Sequence, residues 1–331
     1  MGVLRFPHFN PLYKNRRLNF SDKNIPKGVL LMKIIRYRKE EEQIIAAVTS
    51  DGAIYPLPYE GFIDITRDAK ARKTSILAFV EDKVSNLQPV DYGMKEVELV
   101  VPIDAPEVWA AGVTYEKSRE ARNYEATNGK LDAQTFYDKV YDAPRPEIFL
   151  KSTVNRTVGP NQDVYIRSDS NWQIPEPELG LVVNGEGEIL AYTIGNDMSC
   201  RDIEGENPLY LPQAKIWKQS CSIGPALLLA DSVEDAYQLD IICRIYRDNQ
   251  LVFEGTANTR QLKRKYDELV SYLIRDNIIF DGTVLLTGTC IVPPNEFTLQ
   301  DGDQVEIEIP EIGILRNPVK KQQPSEVLVA E

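Results

Sequence analysis

Between residues 174 and 183 the chain reads Ile-Pro-Glu-Pro-Glu-Leu-Gly-Leu-Val-Val, which sets Glu176 and Glu178 two apart among prolines. Proline fixes φ and removes a backbone donor, so this stretch disfavours helix and predicts an extended segment at a sheet edge. In an extended chain, residues i and i+2 point the same way, so the two carboxylates stand in parallel. The turn Asn184-Gly185-Glu186-Gly187 separates this run from a second, Ile189 to Ile194. That pattern is a hairpin, and its return limb carries Asn196 and Asp197 back alongside Glu176. Three converging carboxylates repel one another unless a cation lies between them. An all-oxygen ligand set suits a hard divalent ion, Mg²⁺ first, then Mn²⁺ or Ca²⁺. The competing reading makes Glu176 and Glu178 the solvated face of an edge strand, and the residues leave both open.

The chain has a single histidine, His8, in a Pro/Asn-rich stretch. Ser-His-Asp and Cys-His nucleophile systems, and histidine-ligated zinc, therefore need His8 to reach a distant site. Acid–base chemistry falls to carboxylates, lysine or tyrosine. Glu147 heads an apolar strand, where a carboxylate is costly to bury alone. It reads either as a salt-bridge partner of Arg145 or Lys151, or as a general acid/base facing a metal. Lys215 lies in a long irregular loop, and such loops are often functional. It is a surface lysine or, beside a carboxylate–metal cluster, a charge partner or base. Thr289, in Thr287-Gly288-Thr289, could give its hydroxyl to a carboxylate.

The elements that must position these residues follow from periodicity. Residues 1–31 form an extension carrying Arg5, Lys14, Arg16, Arg17, Lys23 and Lys27 against Asp22. A compact pattern starts at Met32. Strands are expected over Met32 to Tyr37 and Gln43 to Val48, and a helical pattern from about Ile63 to Leu87. Pro106 to Val113 reads as a buried strand entering a turn, followed by a charged helix from Tyr115 and a second from Asp132 to Tyr141. Residues 145–151 return to extended structure. A helix start is expected at Met198 to Glu204, with Ser199 or Asn196 near its cap. Later strands cover Pro225 to Leu229, Gln238 to Arg247, Leu251 to Gly255, Thr283 to Leu286 and Gln304 to Ile309. The helix Gln261 to Asp276 carries Leu262, Tyr266, Leu269, Val270 and Leu273 as its apolar face.

Composition narrows the classes of partner. The chain has 331 residues, 43% apolar and 27% charged, with net charge −12. That is an ordinary globular composition. The negative charge argues against nucleic acid, whose phosphates require a basic face. No apolar run reaches membrane-spanning length, no signal-peptide core opens the chain, and Phe6 stands where a myristoylation signal wants Ser or Thr. The four cysteines, Cys200, Cys221, Cys243 and Cys290, are widely spaced. They read as buried thiols of a reducing cytoplasm, with no disulfide framework or zinc motif.

Several segments together resemble the fumarylacetoacetate hydrolase superfamily. They are Glu-x-Glu at 176–178, Asn-Asp-Met-Ser-Cys-Arg-Asp at 196–202, Lys215 ahead of Gly224-Pro225, and Thr-Gly-Thr at 287–289. The resemblance runs from about Pro102 to Lys321. It implies an α+β fold, a β-rich mixed-sheet roll forming a catalytic domain at 100–321; the residue pattern itself sets off a small N-terminal α/β domain at 32–95, and the polar residues 322–331 read as a flexible tail. The resemblance also implies Glu176, Glu178 and Asp197 as Mg²⁺ ligands, Lys215 as the active-site lysine, and a homodimer or homotetramer.

One departure is informative. Members that cleave C–C bonds carry Tyr-x-x-His and a following Glu, whereas here Ser118 takes the histidine position in Tyr115-Glu116-Lys117-Ser118. The chain is more similar to the 2-keto-3-deoxy-pentonate dehydratase branch, at 141–149, 175–179, 206–213 and 273–277. That likeness implies Mg²⁺-dependent dehydration of a 2-keto acid to 2,5-dioxopentanoate through an enolate. Lys215 and Glu147 would then be its acid–base pair, and Tyr115, Arg119, Gln213 and Thr289 its substrate contacts. The alternatives are an acylpyruvate hydrolase or oxaloacetate decarboxylase on the same scaffold, or a non-catalytic sugar-acid binding protein.

Overall fold

The computed structural model describes residues 31–127 and 140–321. The expected extension, His8, most of the helix expected from Asp132 and the expected tail lie outside them. Eleven strands form one mixed sheet: β1 (Lys33–Lys39), β2 (Glu42–Val48), β3 (Ile54–Pro56), β4 (Glu98–Leu99), β5 (Glu107–Gly112), β6 (Glu147–Thr153), β7 (Thr157–Val158), β10 (Pro177–Val183), β11 (Ile189–Asp197), β13 (Cys221–Leu229) and β16 (Thr283–Leu286). Its main order is β3-β2-β1-β13-β11-β10-β16-β5-β6. Five strands make the second sheet: β8 (Val164–Ile166), β14 (Asp240–Arg247), β15 (Gln250–Asn258), β17 (Gln304–Ile309) and β18 (Gly313–Lys321), ordered β15-β14-β17-β18-β8. A two-stranded ribbon joins β9 (Gln173–Ile174) to β12 (Ser199–Cys200). The helices are α1 (Phe62–Ala71), α2 (Ile76–Ser85), α3 (Glu116–Thr127), α4 (Arg201–Glu206), α5 (Leu211–Lys215) and α6 (Tyr266–Leu273).

The eleven-stranded sheet is apolar on both faces, and each face has its own cover. On one, Ile34, Ala47, Val182, Leu227 and Val284 pack with Phe62 and Ile65 of α1 and Phe79 of α2. On the other, Ile35, Leu181, Ile194 and Leu285 meet Cys243, Ile245, Val305 and Leu315 of the second sheet, with Tyr266, Leu269 and Leu273 of α6. Full burial of each large side chain contributes about 1.5–3 kcal/mol. The result is the expected β-rich α+β roll with mixed pairing: β16–β5, β13–β7 and β18–β8 run parallel, the remaining pairs antiparallel.

Four local expectations are corrected. The Glu-x-Glu strand β10 is interior, paired with β11 on one side and β16 on the other. Pro175 precedes β10 and Pro177 opens it, so neither removes a donor from the strand's middle. The helical run from Ile63 to Leu87 is two helices. Lys73 takes φ 55 between them, and Ser75 starts α2 by accepting from the Ala78 N–H. Residues 199–200 are ribbon strand, and α4 begins only at Arg201. The long helix expected from Gln261 is confined to α6, whose inner face carries Tyr266, Leu269, Val270 and Leu273 as expected.

Candidate active site

One end of the large sheet carries the candidate site, and strand register explains how. Cross-strand partners share a face: Glu178 opposes Gly195, Gly180 opposes Thr193 and Val182 opposes Ala191. Glu176 lies beside Asp197, whose N–H donates to the Glu176 carbonyl at 2.9 Å. Across β16 and β5 the same row continues through Leu286 and Ala110 to Gly112, which opposes Glu147 on β6. The apolar core of that face stops at Val182, Leu286 and Ala110, and the polar cluster starts one residue pair further along. Glycine keeps the junction open, since a Cβ on Gly195 would come within 2.3 Å of Leu286.

Glu176, Glu178 and Asp197 each offer an oxygen, and these oxygens lie within 4.8 Å of one another. All three residues are buried, at 5%, 1% and 1% exposure. Each is held by a different donor. Lys215 Nζ donates to Glu176 Oε2 at 2.6 Å, to Ser199 Oγ at 2.6 Å and to Asp197 Oδ2 at 3.3 Å. Lys151 Nζ pairs with Asp197 Oδ1 at 2.7 Å, and also donates to the carbonyls of Met198 at 2.7 Å and Lys215. The Gly288 N–H donates to Glu178 Oε2 at 2.6 Å, from a backbone at φ +98 that favours glycine.

Electrostatics separate the three. Burial pushes Glu176 up, but the charges of Lys215, Arg122 and Arg201 outweigh it and hold its pKa down at about 2. Glu178 is raised well above the ordinary carboxylate range by burial, then by repulsion from Asp197 and Glu176. Burial opposes the charge on Lys215, yet Asp197, Glu176 and Glu204 prevail and raise its pKa, so it is an ammonium. Glu147 is raised by burial against the pull of Arg122, and its Oε2 is buried without a hydrogen-bond partner.

The pocket wall brings together Glu176, Glu178, Asp197, Lys215 and Thr289 with Gly112, Ser118, Arg122 and Phe149. Glu147 overhangs it from β6, its carboxylate against Gly112. Neither salt bridge considered for Glu147 from sequence is present, because Lys151 is committed to Asp197. Thr289 lines the pocket, but its hydroxyl engages the Ile291 main chain, and Gly288 supplies the donor to Glu178. Tyr115 is buried at 1% exposure with its hydroxyl unpartnered, its pKa raised by burial and then by Tyr266, Cys290 and Glu178. Arg119 instead pairs with Glu116 at 3.2 Å and lies over the Tyr141 ring, and Gln213 is exposed; neither lines the pocket.

Sequence reasoning missed the buried ion pair Arg122–Glu204, which joins α3 to α4 at the pocket. Ser118 and Arg122 stand four apart on α3, a spacing that puts both on one helix face and was readable. It also missed Lys151 as a partner of the cluster, although Glu147, Phe149 and Lys151 alternate along one strand face.

The carboxylate set fits a magnesium ion on two observations. Its donors are all oxygens, which hard cations prefer. The repulsion that raises Glu178 is also what a bound cation relieves. At the end of a mixed β-roll, a buried all-oxygen cluster of a kind that can hold a hard cation thus lies beside a buried ammonium and the Glu147 carboxyl. Residues 118–320 match the family model described as fumarylacetoacetate (FAA) hydrolase C-terminal, and the chain belongs to that family.

The chain is 42% identical over 298 residues to the 2-dehydro-3-deoxy-D-arabinonate dehydratase of Saccharolobus solfataricus, covering 89% of this chain and 98% of that one. It is 45% identical over 258 residues to a probable 2-keto-3-deoxyxylonate dehydratase of Haloferax volcanii, covering 78% and 87% respectively. The solved structure of a 2-keto-3-deoxy-D-arabinonate dehydratase complexed with magnesium and 2,5-dioxopentanoate superimposes with TM-score 0.74 at 39% identity, covering 88% of this chain and 99% of that one.

Proposed function

We propose that this chain is a magnesium-dependent hydro-lyase that converts a 2-keto-3-deoxy-pentonate to 2,5-dioxopentanoate. The observation that carries the reading is the meeting, in one pocket, of the Glu176–Glu178–Asp197 cluster and the Lys215 ammonium, with the Glu147 carboxylate set against Gly112 of the pocket wall. Its likeness in sequence and fold to the dehydratases named above supports the substrate class.

Glu176, Glu178 and Asp197 hold the metal in this reading. Magnesium, when bound, supplies Lewis-acid polarisation of the 2-keto group, which acidifies the C3 protons. Lys215, held as an ammonium, keeps positive charge beside the carboxylates and steadies negative charge as it develops on the substrate. Glu147 carries the proton: its carboxylate takes up the C3 proton, and its acid form delivers one to the departing C4 hydroxyl, which leaves as water. The same group then moves a proton in the tautomerisation that yields the C5 aldehyde. Its buried, unpartnered Oε2 and raised proton affinity suit that task. Tyr115 and Thr289 are proposed substrate contacts from the pocket wall. Arg119 and Gln213 take that role only if substrate reaches beyond the described lining.

The test is product formation. Purified enzyme given 2-keto-3-deoxy-pentonate and Mg²⁺ is expected to release 2,5-dioxopentanoate, with fumarylpyruvate, acetylpyruvate and oxaloacetate turned over far more slowly. E178Q and EDTA-treated enzyme should both be inactive while remaining folded by circular dichroism. Full activity in either would refute the metal assignment. Ligand-induced stabilisation with no turnover would favour a binding protein.

Assembly as a homodimer or homotetramer belongs to the same proposal. Leu209 at 83% exposure, Ile278 at 79% and Leu251 at 52% are apolar surface that such contacts could cover, and sedimentation of the full chain checks it. No described helix is long and apolar enough to cross a membrane. A cytoplasmic location is proposed from the four buried free thiols.

A further inference from the structure

Gly112 ends β5 directly opposite Glu147 in the antiparallel register with β6, and it forms part of the pocket wall. A Cβ built there would lie 1.9 Å from Glu147 Oε2 and 2.6 Å from its carboxyl carbon. The carboxylate therefore occupies the volume that any other residue's side chain would fill. The glycine is not explained by backbone conformation, because its φ lies outside the left-handed region. Nor does the strand benefit, since glycine inside a strand is about 0.5–1 kcal/mol worse than alanine. The next residue, Val113, is a buried β-branched side chain at φ 52, a conformation that costs free energy and clusters at functional sites. The corner at 112–113 is therefore built against local preference, and it faces the pocket.

We propose that Gly112 is a positioning residue: its missing side chain is the seat that admits the Glu147 carboxylate to the pocket. This rests on the reading of Glu147 as proton carrier, given above. The three atoms nearest the added methyl group all belong to Glu147, so the carboxyl end of that flexible side chain is what must move first.

The experiment compares G112A, E147Q and the double variant with the full-length wild type. It measures kcat and KM with 2-keto-3-deoxy-pentonate, the affinity for Mn²⁺ alone in the absence of substrate, and the Tm. G112A is expected to fold with an unchanged or higher Tm and to bind Mn²⁺ as wild type does. Its kcat should fall into the range of E147Q, about 10²–10⁴-fold below wild type, the usual contribution of a positioned acid–base group. Substrate KM should change little, and the double variant should be no slower than the slower single one. Wild-type kcat in G112A, losses that multiply in the double variant, weakened Mn²⁺ binding in G112A, or failure of G112A to fold would each overturn the seat. Wild-type turnover in E147Q would overturn the role of Glu147 itself, a separate failure.

Discussion

Lys151 shows how one buried residue can serve a site without facing its substrate. Its Nζ donates to the carbonyls of Met198 and Lys215 and pairs with Asp197 Oδ1 at 2.7 Å, and it is 0% exposed. Replacing it with methionine keeps the length of the side chain but removes the positive charge beside Asp197 Oδ1 and the donor to the Met198 carbonyl, while the Lys215 carbonyl keeps the Ser220 hydroxyl. Groups that orient metal-holding carboxylates typically change metal affinity by about 10–100-fold when removed. K151M is therefore expected to bind Mn²⁺ about 10–100-fold more weakly in a direct titration and to melt at lower temperature; unaltered affinity would show that Asp197 needs no such support. Glu178 makes a different prediction. In metal-free enzyme its folded pKa is raised from the ordinary 4.5 by burial and by like charges. The stability this group contributes is thus fully present below about 4.5 and is lost as pH rises through the raised value. In EDTA, E178Q should gain Tm over wild type progressively as pH is raised from about 4.5, and parallel melting curves across that window would contradict it. At this scale the sequence was legible wherever a carboxylate lay in a patterned strand. The Arg122–Glu204 pair was not legible: the helix face that carries Arg122 could be read from its spacing with Ser118, but a partner on another helix leaves no signature in either one.

The elements explain which expectations held. The hairpin limbs β10 and β11, and the return of Asn196 and Asp197 alongside Glu176, could be read because a turn signal and two apolar runs fix an approximate register, in which Asn196 opposes Pro177. Whether the hairpin sits at an edge or inside a sheet depends on β16, more than a hundred residues away, and no local pattern records that. The break between α1 and α2 escaped for a related reason: Arg72, Lys73 and Thr74 keep the polar composition of an exposed helix face while Lys73 turns left-handed. Packing at the junction between core and site is tight enough to test. Gly195 lies under Leu286, and a methyl group there would press within 2.3 Å of Leu286 Cδ2. Overpacking of that kind costs about 1–3 kcal/mol. Chemical denaturation should show G195A destabilised by about that amount, and G195A/L286A losing less than the sum of the G195A and L286A losses, since the truncated Leu286 no longer meets the added methyl. An unaffected G195A would mean that β10, β11 and β16 can spread at this point.

At the scale of the whole chain, the segment 32–95 and the remainder share hydrogen bonds. β1 pairs with β13 through Lys33–Leu228 and Ile34–Leu227, and the Leu229 N–H donates to the Met32 carbonyl at 3.0 Å. Residues of α1 and α2 cover the same sheet face whose far end holds the carboxylate cluster. The small N-terminal unit expected from periodicity is thus continuous with the catalytic sheet in its hydrogen bonding. A periodicity argument divides a chain where its pattern lapses, near Pro89 to Glu98, but pairing between β1 and β13 is set by contacts far apart in sequence. If the shared sheet governs stability, removing residues 1–100 strips the partner from β13 and exposes Leu227, Leu229 and Ile223. An uncovered edge beside an uncovered apolar face invites aggregation. A chain beginning at Val101 is expected to be insoluble or unfolded. The full chain is expected to unfold in urea as one transition, with the fluorescence of Trp109, Trp172 and Trp217 tracking far-UV circular dichroism throughout. Separate midpoints for the two probes, together with a soluble and metal-binding truncated chain, would mean that the N-terminal strands are an appendage. In that case β13, β11, β10, β16, β5 and β6, with the second sheet behind them, would be enough to maintain the geometry at Glu176, Glu178 and Asp197.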